Sequence, residues 1–504
     1  MLSQQILESL KRFYPETALS VSILIIVLVE LFFRKKSNIS GFIAIAGIAV
    51  TFYFTLLQKN MHPEMFFFQM VVIDSFSFFF KILLLISGFL IILFSFLSNE
   101  IKNTEYKTQE YYALILTLTL GGFLMASSTN LLMMYLSLEL VSMSSYILAG
   151  YLKKSKRSNE AALKYVIYGG VSSGIMIFGI SILYGITGST DITAVSAYLS
   201  SHPVNLIALL ISSFLIIAGF GYKISAVPFH FWTPDVYEGS PLPITAFLSV
   251  SSKAAGFAMM IRFFVVTFQN VSMAVPDRGD MTANYFLLTG FKWYELIAVI
   301  SVATMTLGNF VAIWQDNIKR LLAYSSIAQA GYILLGLVVT NPQGTSAIMI
   351  YLAVYLFMNL GAFFSAIMIS NRFNTESIEE MKGLGYRAPF LCVSMGIFLL
   401  SLTGIPLTAG FIGKFYIFSA LVNKGFIVLT IIGLLNSVVS LYYYVKILKN
   451  MFLIRPAESA SKISFGVGYN LILLILVIPT ILLGVYFAPL TRLAEYSVQI
   501  FYVK

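Results

Sequence analysis

The 504-residue chain has little charge, little cysteine and almost no histidine. Charged residues make up 11% of it, where a soluble domain carries roughly 25%. The single cysteine, Cys392, excludes an intrachain disulfide. It also excludes an iron–sulfur cluster held by this chain alone, which needs several thiolates. The three histidines, His62, His202 and His230, have no metal-ligand spacing. No glycine-rich phosphate loop, dinucleotide fingerprint or Ser/His/Asp constellation is present. No polar stretch is long enough to fold as a soluble domain.

Apolar sequence takes the place of what is missing. Hydrophobic residues make up 58% and aromatics 15%. The net charge of +10 does not point to nucleic acid, because excess Lys and Arg mark the cytoplasmic loops of membrane proteins. About fourteen apolar runs reach spanning length, which is roughly 17–25 residues. They cover 17–33, 39–57, 73–97, 111–128, 130–152, 161–187, 204–233, 242–268, 293–314, 319–340, 345–370, 389–422, 425–450 and 466–488. The expected fold is an all-α polytopic membrane protein. No cleavable signal peptide is expected at the polar N-terminus.

Basic clusters set the orientation. Arg34, Lys35 and Lys36 follow the first segment, and Lys153, Lys154, Lys156 and Arg157 the fifth. Lys319 and Arg320 follow the ninth, Arg372, Lys382 and Arg387 the eleventh, and Lys446, Lys449, Arg455 and Lys462 end or follow the thirteenth. All lie after odd-numbered segments, so those loops are expected to be cytoplasmic and both termini outside.

Segments seven and twelve are too long for simple spans, and each holds a proline, Pro228 and Pro406. Proline removes a backbone donor and clashes with the preceding turn. Paired broken helices suggest an inverted-repeat transporter. A short match supports this. Counting back seven residues from Tyr-Ile-Leu gives Glu139 in segment five and Ser325 in segment ten. The expected divisions are 1–110 as an N-terminal three-helix segment, 111–270 as the first five-helix repeat, 271–455 as the second, and 456–504 around a last helix. An odd number of spans per repeat forces opposite topologies.

Ionisable residues inside such segments are costly and mark ion or proton paths. Glu139, Lys223, Lys253 and Lys414 lie well within segments five, seven, eight and twelve. Glu139 and Lys223 are expected to pair, with a static structural pair as the competing reading. Lys223 is the best proton carrier of the first half, against snorkelling to an interface. His230 follows it by seven residues, two turns along the same face if the helix resumes, and histidine titrates near neutrality. Lys253, beside Ser249, Ser251 and Ser252, is placed to link the halves. Lys414, between Gly410, Gly413 and the segment end, is expected to close the second half. Lys164 lies near a cytoplasmic end, where snorkelling competes. Lys81 and Glu30 are expected to be peripheral and structural.

Four stretches carry a family resemblance. GYKISAVPFHFWTPDVYEGSPLPITAFLSVSSKAAGFA, TMTLGNFVAIWQDNIKRLLAYSSIAQAGYIL, GIPLTAGFIGKFYIF and MMYLSLELVSMSSYIL resemble the antiporter-like membrane subunits of respiratory complex I. Within that family, YPETALSVSILIIVLVELF and the length are most similar to the subunit N type of NADH-quinone oxidoreductase. The long lateral helix of the L type is not expected, since the chain ends soon after segment fourteen.

The resemblance implies fourteen helices, two inverted five-helix repeats and broken helices 7 and 12. It implies Glu139 and Lys223 as the first half-channel pair, Lys253 as the central link and Lys414 as the terminal site, with Lys164 and His230 also on the proton path. It implies no cofactor in this chain. FMN and iron–sulfur clusters belong to partner subunits, and quinone acts elsewhere in the complex. The expected partners are neighbouring antiporter-like and small membrane subunits and the lipid bilayer, in a bacterial inner membrane. The expected role is proton translocation coupled to NADH oxidation and quinone reduction in those partners. The alternative is a subunit of a multi-subunit cation/proton antiporter without redox activity; a membrane scaffold is disfavoured by the intramembrane charges.

Overall fold

The computed structural model describes residues 2–32, 38–59, 61–104, 109–202, 204–273, 292–455 and 462–502. The basic residues Arg34, Lys35 and Lys36, and residues 274–291 near the start of the second repeat, fall outside them.

Among the described residues, twelve helices are long and apolar enough to cross a membrane. The N-terminal part begins with α1 (Leu2–Arg12), which turns 85° into α2 (Tyr14–Phe32), followed by α3 (Ile39–Leu57). A two-stranded antiparallel hairpin comes next, β1 (Glu64–Phe66) and β2 (Val71–Ile73), then α4 (Ser75–Leu97) and the short α5 (Asn99–Lys102). The first repeat holds α6 (Gln109–Ser127), α7 (Leu131–Ala149), α8 (Lys156–Thr187), a surface helix α9 (Ile192–Ser201), α10 (Leu206–Ile224) and α11 (Trp232–Gly239). Segment eight is α12 (Leu242–Phe247), a π-turn (Leu248–Ser252) and α13 (Lys253–Met273). The second repeat holds α14 (Trp293–Ile313), α15 (Ile318–Val338), α16 (Pro342–Phe373), α17 (Leu384–Arg387), α18 (Pro389–Thr403), α19 (Ala409–Asn423) and α20 (Ile427–Phe452). The chain ends with α21 (Val467–Val485) and α22 (Ala488–Val498). All fourteen expected segments are helical, and both long ones are broken. The chain is an all-α polytopic membrane protein. The hairpin and the right-angle α1–α2 corner were not foreseen.

The two halves repeat each other in detail. The third helix of each, α8 and α16, has 32 residues. Such a helix is about 48 Å long, beyond the ~30 Å hydrocarbon core. Each second helix starts from an asparagine N-cap, Asn130 or Asn317, whose side chain accepts backbone N–H bonds. Each cap is also pinned by a β-bridge to the loop after the third helix, Asn130 to Asp191 and Asn317 to Ser377. Leu131 N–H bonds to Thr190 and Ile192 N–H to Thr129; Ile318 N–H bonds to Glu376 and Ile378 N–H to Asp316 in the same way. This register sets Glu139 against Ser326. The Tyr-Ile-Leu match, which gave Ser325, is therefore one residue out of step with the helix starts.

The breaks have local causes. The end of α10 at Ile224 is followed by Ser225 in the left-handed region (φ 64°) and by a cis Val227–Pro228 bond. Trp232 then restarts the chain as α11, stacked on Tyr165 at 4.3 Å and donating its indole N–H to the Tyr222 carbonyl. The end of α18 at Thr403 is followed by Gly404 (φ +93°). Pro406 stands in the gap before α19.

Candidate functional site

The breaks make the charged groups tolerable. Each leaves a helix C-terminus inside the bundle, where unpaired carbonyls and the helix dipole favour a cation. Lys223 sits in the last turn of α10 and is 1% exposed. Lys414, on α19, returns its ammonium to the end of α18. It donates to the Thr403 carbonyl at 2.7 Å and to Ser437 Oγ at 2.8 Å, with its Nζ 4.5 Å from the centre of the Tyr332 ring. Gly404 makes room for it, since a Cβ there would lie 2.9 Å from Lys414 Cδ.

Lys253 follows the π-turn of segment eight directly. Such bulges are frequent at functional sites. Its ammonium donates to both the carbonyl (2.8 Å) and Oγ (2.9 Å) of Ser326 on α15. Ser326 is the residue that the repeat register sets against Glu139. Lys223, on α10, packs against the same α13: a Cβ at Gly256, one turn beyond Lys253, would be 3.2 Å from Lys223 Cγ. Two of the three π-turn serines are held as well, Ser251 by Ser87 (2.5 Å) and Ser249 by Asn359 (2.7 Å).

Glu139 is half-buried on α7, and its Oε1 has no hydrogen-bond partner. Among the described residues no ion pair joins it to Lys223. The Lys223 ammonium instead donates to Ser142 Oγ at 3.3 Å, three residues on from Glu139 along the same helix. Glu139 is within electrostatic reach of Lys223.

His230 does not continue the Lys223 face. The expected two-turn spacing fails because no helix runs from Ile224 to Trp232. His230 is buried in the break, its Nδ1 unpartnered and its ring 4.6 Å from that of Phe231. Lys164 is apart from the buried lysines. It is 37% exposed and bridges Asp235 (2.5 Å) and Glu160 (2.7 Å). Arg320 also binds Asp235 (2.8 Å) and Glu238 (2.7 Å), so Lys164 belongs to an ionic girdle joining α8, α11 and α15.

Neutral polar residues fill the space between Lys253 and Lys414, and of them sequence reading singled out only Ser325, as the repeat counterpart of Glu139. Gln329 donates to the Leu402 carbonyl at 2.9 Å and accepts from Tyr351. Ser325 meets the Tyr444 hydroxyl at 2.5 Å. Asn309 donates to Tyr332 at 2.9 Å and accepts from Tyr443 at 3.1 Å. The available signal was Asn309, Gln329 and Asn359 inside apolar segments. Lys319, read as a loop residue, is 3% exposed and bridges Glu376 (2.6 Å) and Glu100 (3.4 Å). Lys81, expected to be peripheral, is wholly buried.

A family described as NADH:quinone oxidoreductase/Mrp antiporter, TM, matches residues 128–276 and 280–440. The chain belongs to the NADH:quinone oxidoreductase/Mrp antiporter family. Within that family it is 52% identical over 494 residues to NADH-quinone oxidoreductase subunit N 2 of Chloroherpeton thalassium, covering 97% of this chain and 94% of that one. It is 46% identical to NADH-quinone oxidoreductase subunit N of Chlorobium chlorochromatii, covering 99% and 97%. A chain of the Thermus thermophilus respiratory complex I is similar in structure, with TM-score 0.76, 28% identity and coverage of 95% and 99%. A chain of the Mrp complex from Dietzia shares the family fold at TM-score 0.81, with 19% identity and 98% coverage of each.

Proposed function

We propose that this chain is the proton-translocating membrane subunit of an NADH-quinone oxidoreductase, of the subunit N type. The observation that carries it is the row of buried ammonium groups, Lys223, Lys253 and Lys414, seated on two broken helices and the helix between them, in a chain 52% identical to a subunit N. That identity favours this reading over the redox-free antiporter, for which the likeness is at the level of fold.

A push from a neighbouring subunit moves Glu139 relative to Lys223. Loss of the nearby anion destabilises the charged form of Lys223. Its proton passes to Lys253 and through the neutral polar residues around Ser326 and Gln329 to Lys414. His230, in the seventh-helix break, and Lys164, in the ionic girdle, stand on the approach to this row. The repeats run over 111–270 and 271–455, preceded by 1–110 and followed by 456–504. Electron transfer belongs to partner subunits that hold FMN and iron–sulfur clusters, and this chain supplies no redox centre. It sits among antiporter-like and small membrane subunits in a bacterial inner membrane, both termini outside.

Purification of the tagged chain from its own membranes tests this. Flavin and iron–sulfur subunits should come with it, with inhibitor-sensitive NADH–quinone activity. Copurification with small membrane subunits alone, and cation-dependent proton exchange without redox activity, would support the antiporter instead.

A further inference from the structure

A buried ion pair lies outside the matched family region. Glu16 in the first turn of α2 and Lys81 on α4 are 2.6 Å apart, and both side chains are 0% exposed. Neither Glu16 oxygen accepts a hydrogen bond of normal geometry. The Lys81 ammonium donates to Gln58 Oε1 at 3.2 Å, and Gln58 Nε2 donates to the Arg12 carbonyl at 3.1 Å. Arg12, with its ion-pair partner Glu64, lines a cavity of about 730 Å³ between α1 and the hairpin. The polar contacts thus run from Lys81 through buried Gln58 to the Arg12 carbonyl, at the corner that borders the cavity.

A purely structural role explains this poorly. Desolvation largely offsets the attraction within a buried pair, and apolar side chains would hold the helices as well. Glu16, by contrast, meets a single ammonium and accepts no further hydrogen bond, which leaves lone pairs on which a proton can bind. The charged and titratable groups facing it are few. Arg12 and Tyr14 come from the α1–α2 corner and Glu64 from the hairpin, and Glu8 and Lys11 of α1 line the same cavity. The sequence of α3 is uncharged, and α6 presents the Phe123 ring, 5.7 Å from Lys81 Nζ. Next along α4 is the closed pair Asp74–Arg262.

We propose that Glu16 is a proton-binding site loaded through Gln58 from the cavity on the face that carries the N-terminus. An incoming proton bonds to a Glu16 oxygen and converts the neutral pair into one positive charge on Lys81; release reverses the step. The change reaches the pumping core through α4, which is tied to segment eight by Ser87–Ser251 and by Asp74–Arg262. That consequence, but not the site itself, rests on the proton-pumping reading.

The test uses the whole complex in native membranes, in a Cys392→Ala background. Gln58→Cys should react with a membrane-impermeant thiol reagent from the N-terminal face and not from the other. Phe123→Cys should react from neither. In the second measurement, the dependence of pumping rate on pH at the N-terminal face should flatten at least twofold in Glu16→Gln. If that variant fails to assemble, the paired Glu16→Gln/Lys81→Met exchange serves in its place. An unreactive Gln58→Cys, or a pH profile that superimposes on wild type, would overturn the proposal. Failure of the pumping reading would appear differently, as absent pumping in every variant with the labelling pattern unchanged.

Discussion

Lys223 is bonded to Ser142, not to Glu139, although the two candidates share one helix and lie three residues apart. The ammonium therefore has a neutral resting partner within one turn of the anion. A displacement of less than one helical turn, about 5 Å, is enough to exchange one for the other. Under the proposed function this is a switch whose two positions are both present in the sequence of α7.

Lys223→Ala should abolish or strongly impair pumping while leaving the complex assembled. Glu139→Gln should act similarly and Glu139→Asp more mildly. Ser142→Ala should slow pumping only several-fold, since it removes the resting partner and neither charge. Proton release per NADH oxidised in sealed vesicles measures all four. Wild-type pumping in Lys223→Ala would remove it from the path.

Ser326 holds Lys253 through both its carbonyl and its hydroxyl. A hydrogen bond to a charged group contributes about 1.5–3 kcal/mol. Ser326→Ala keeps the carbonyl, so pumping should fall less than in Lys253→Met, which removes the ammonium altogether. Equal loss in the two variants would argue that Ser326 carries the proton itself.

Gly404→Ala should be damaging out of proportion to one methyl group. The backbone there has φ +93°, and the new Cβ would meet Lys414 Cδ at 2.9 Å. The left-handed backbone alone costs a non-glycine residue about 1–2 kcal/mol. The displaced lysine should also lose its bond to Thr403. Lower thermal stability of the purified complex together with reduced pumping is the expected result; a stable, fully active variant would show that the break can re-form around a side chain.

Arg262 makes a two-bond ion pair with Asp74 at 2.8 and 3.0 Å, and its guanidinium lies against the rings of Phe76 and Phe501. Removing one partner of such a buried pair costs about 3–5 kcal/mol. Asp74→Ala should therefore lower assembly and the unfolding temperature sharply, and Asp74→Ala/Arg262→Met should recover part of the loss. Blue-native gels and thermal unfolding in detergent check both.

Much of the fold was legible because the bilayer writes a strong pattern. Spanning helices need long apolar runs, and the fourteen runs coincide with helices to within a few residues. Pro228 and Pro406 announced the breaks, since proline cannot supply the missing backbone donor. The hairpin at 64–73 and the turn before Tyr14 carried no such signal. They are short, and they are shaped by packing at the membrane edge. Lys223, Lys253 and Lys414 were legible for a related reason, since an intramembrane charge is costly enough to stand out, whereas the burial of Lys81 and Lys319 was not. Ser142, Ser326, Thr403 and Ser437 were not, because serine and threonine are common in membrane helices and only their partners distinguish them.

The sequence by itself determined that this chain spans a membrane, where its helices break and which charges lie within it. Those follow from hydration costs paid residue by residue. Only the tertiary structure decided which groups meet: that Lys414 folds back onto the end of α18, that Lys253 reaches Ser326, that His230 lies in a break and off the Lys223 face, and that Lys81 is sealed against Glu16. Lys253 with Ser326 and Lys81 with Glu16 join residues far apart along the chain, and even the nearer contacts depend on how the broken helices pack, which no local stretch of sequence encodes.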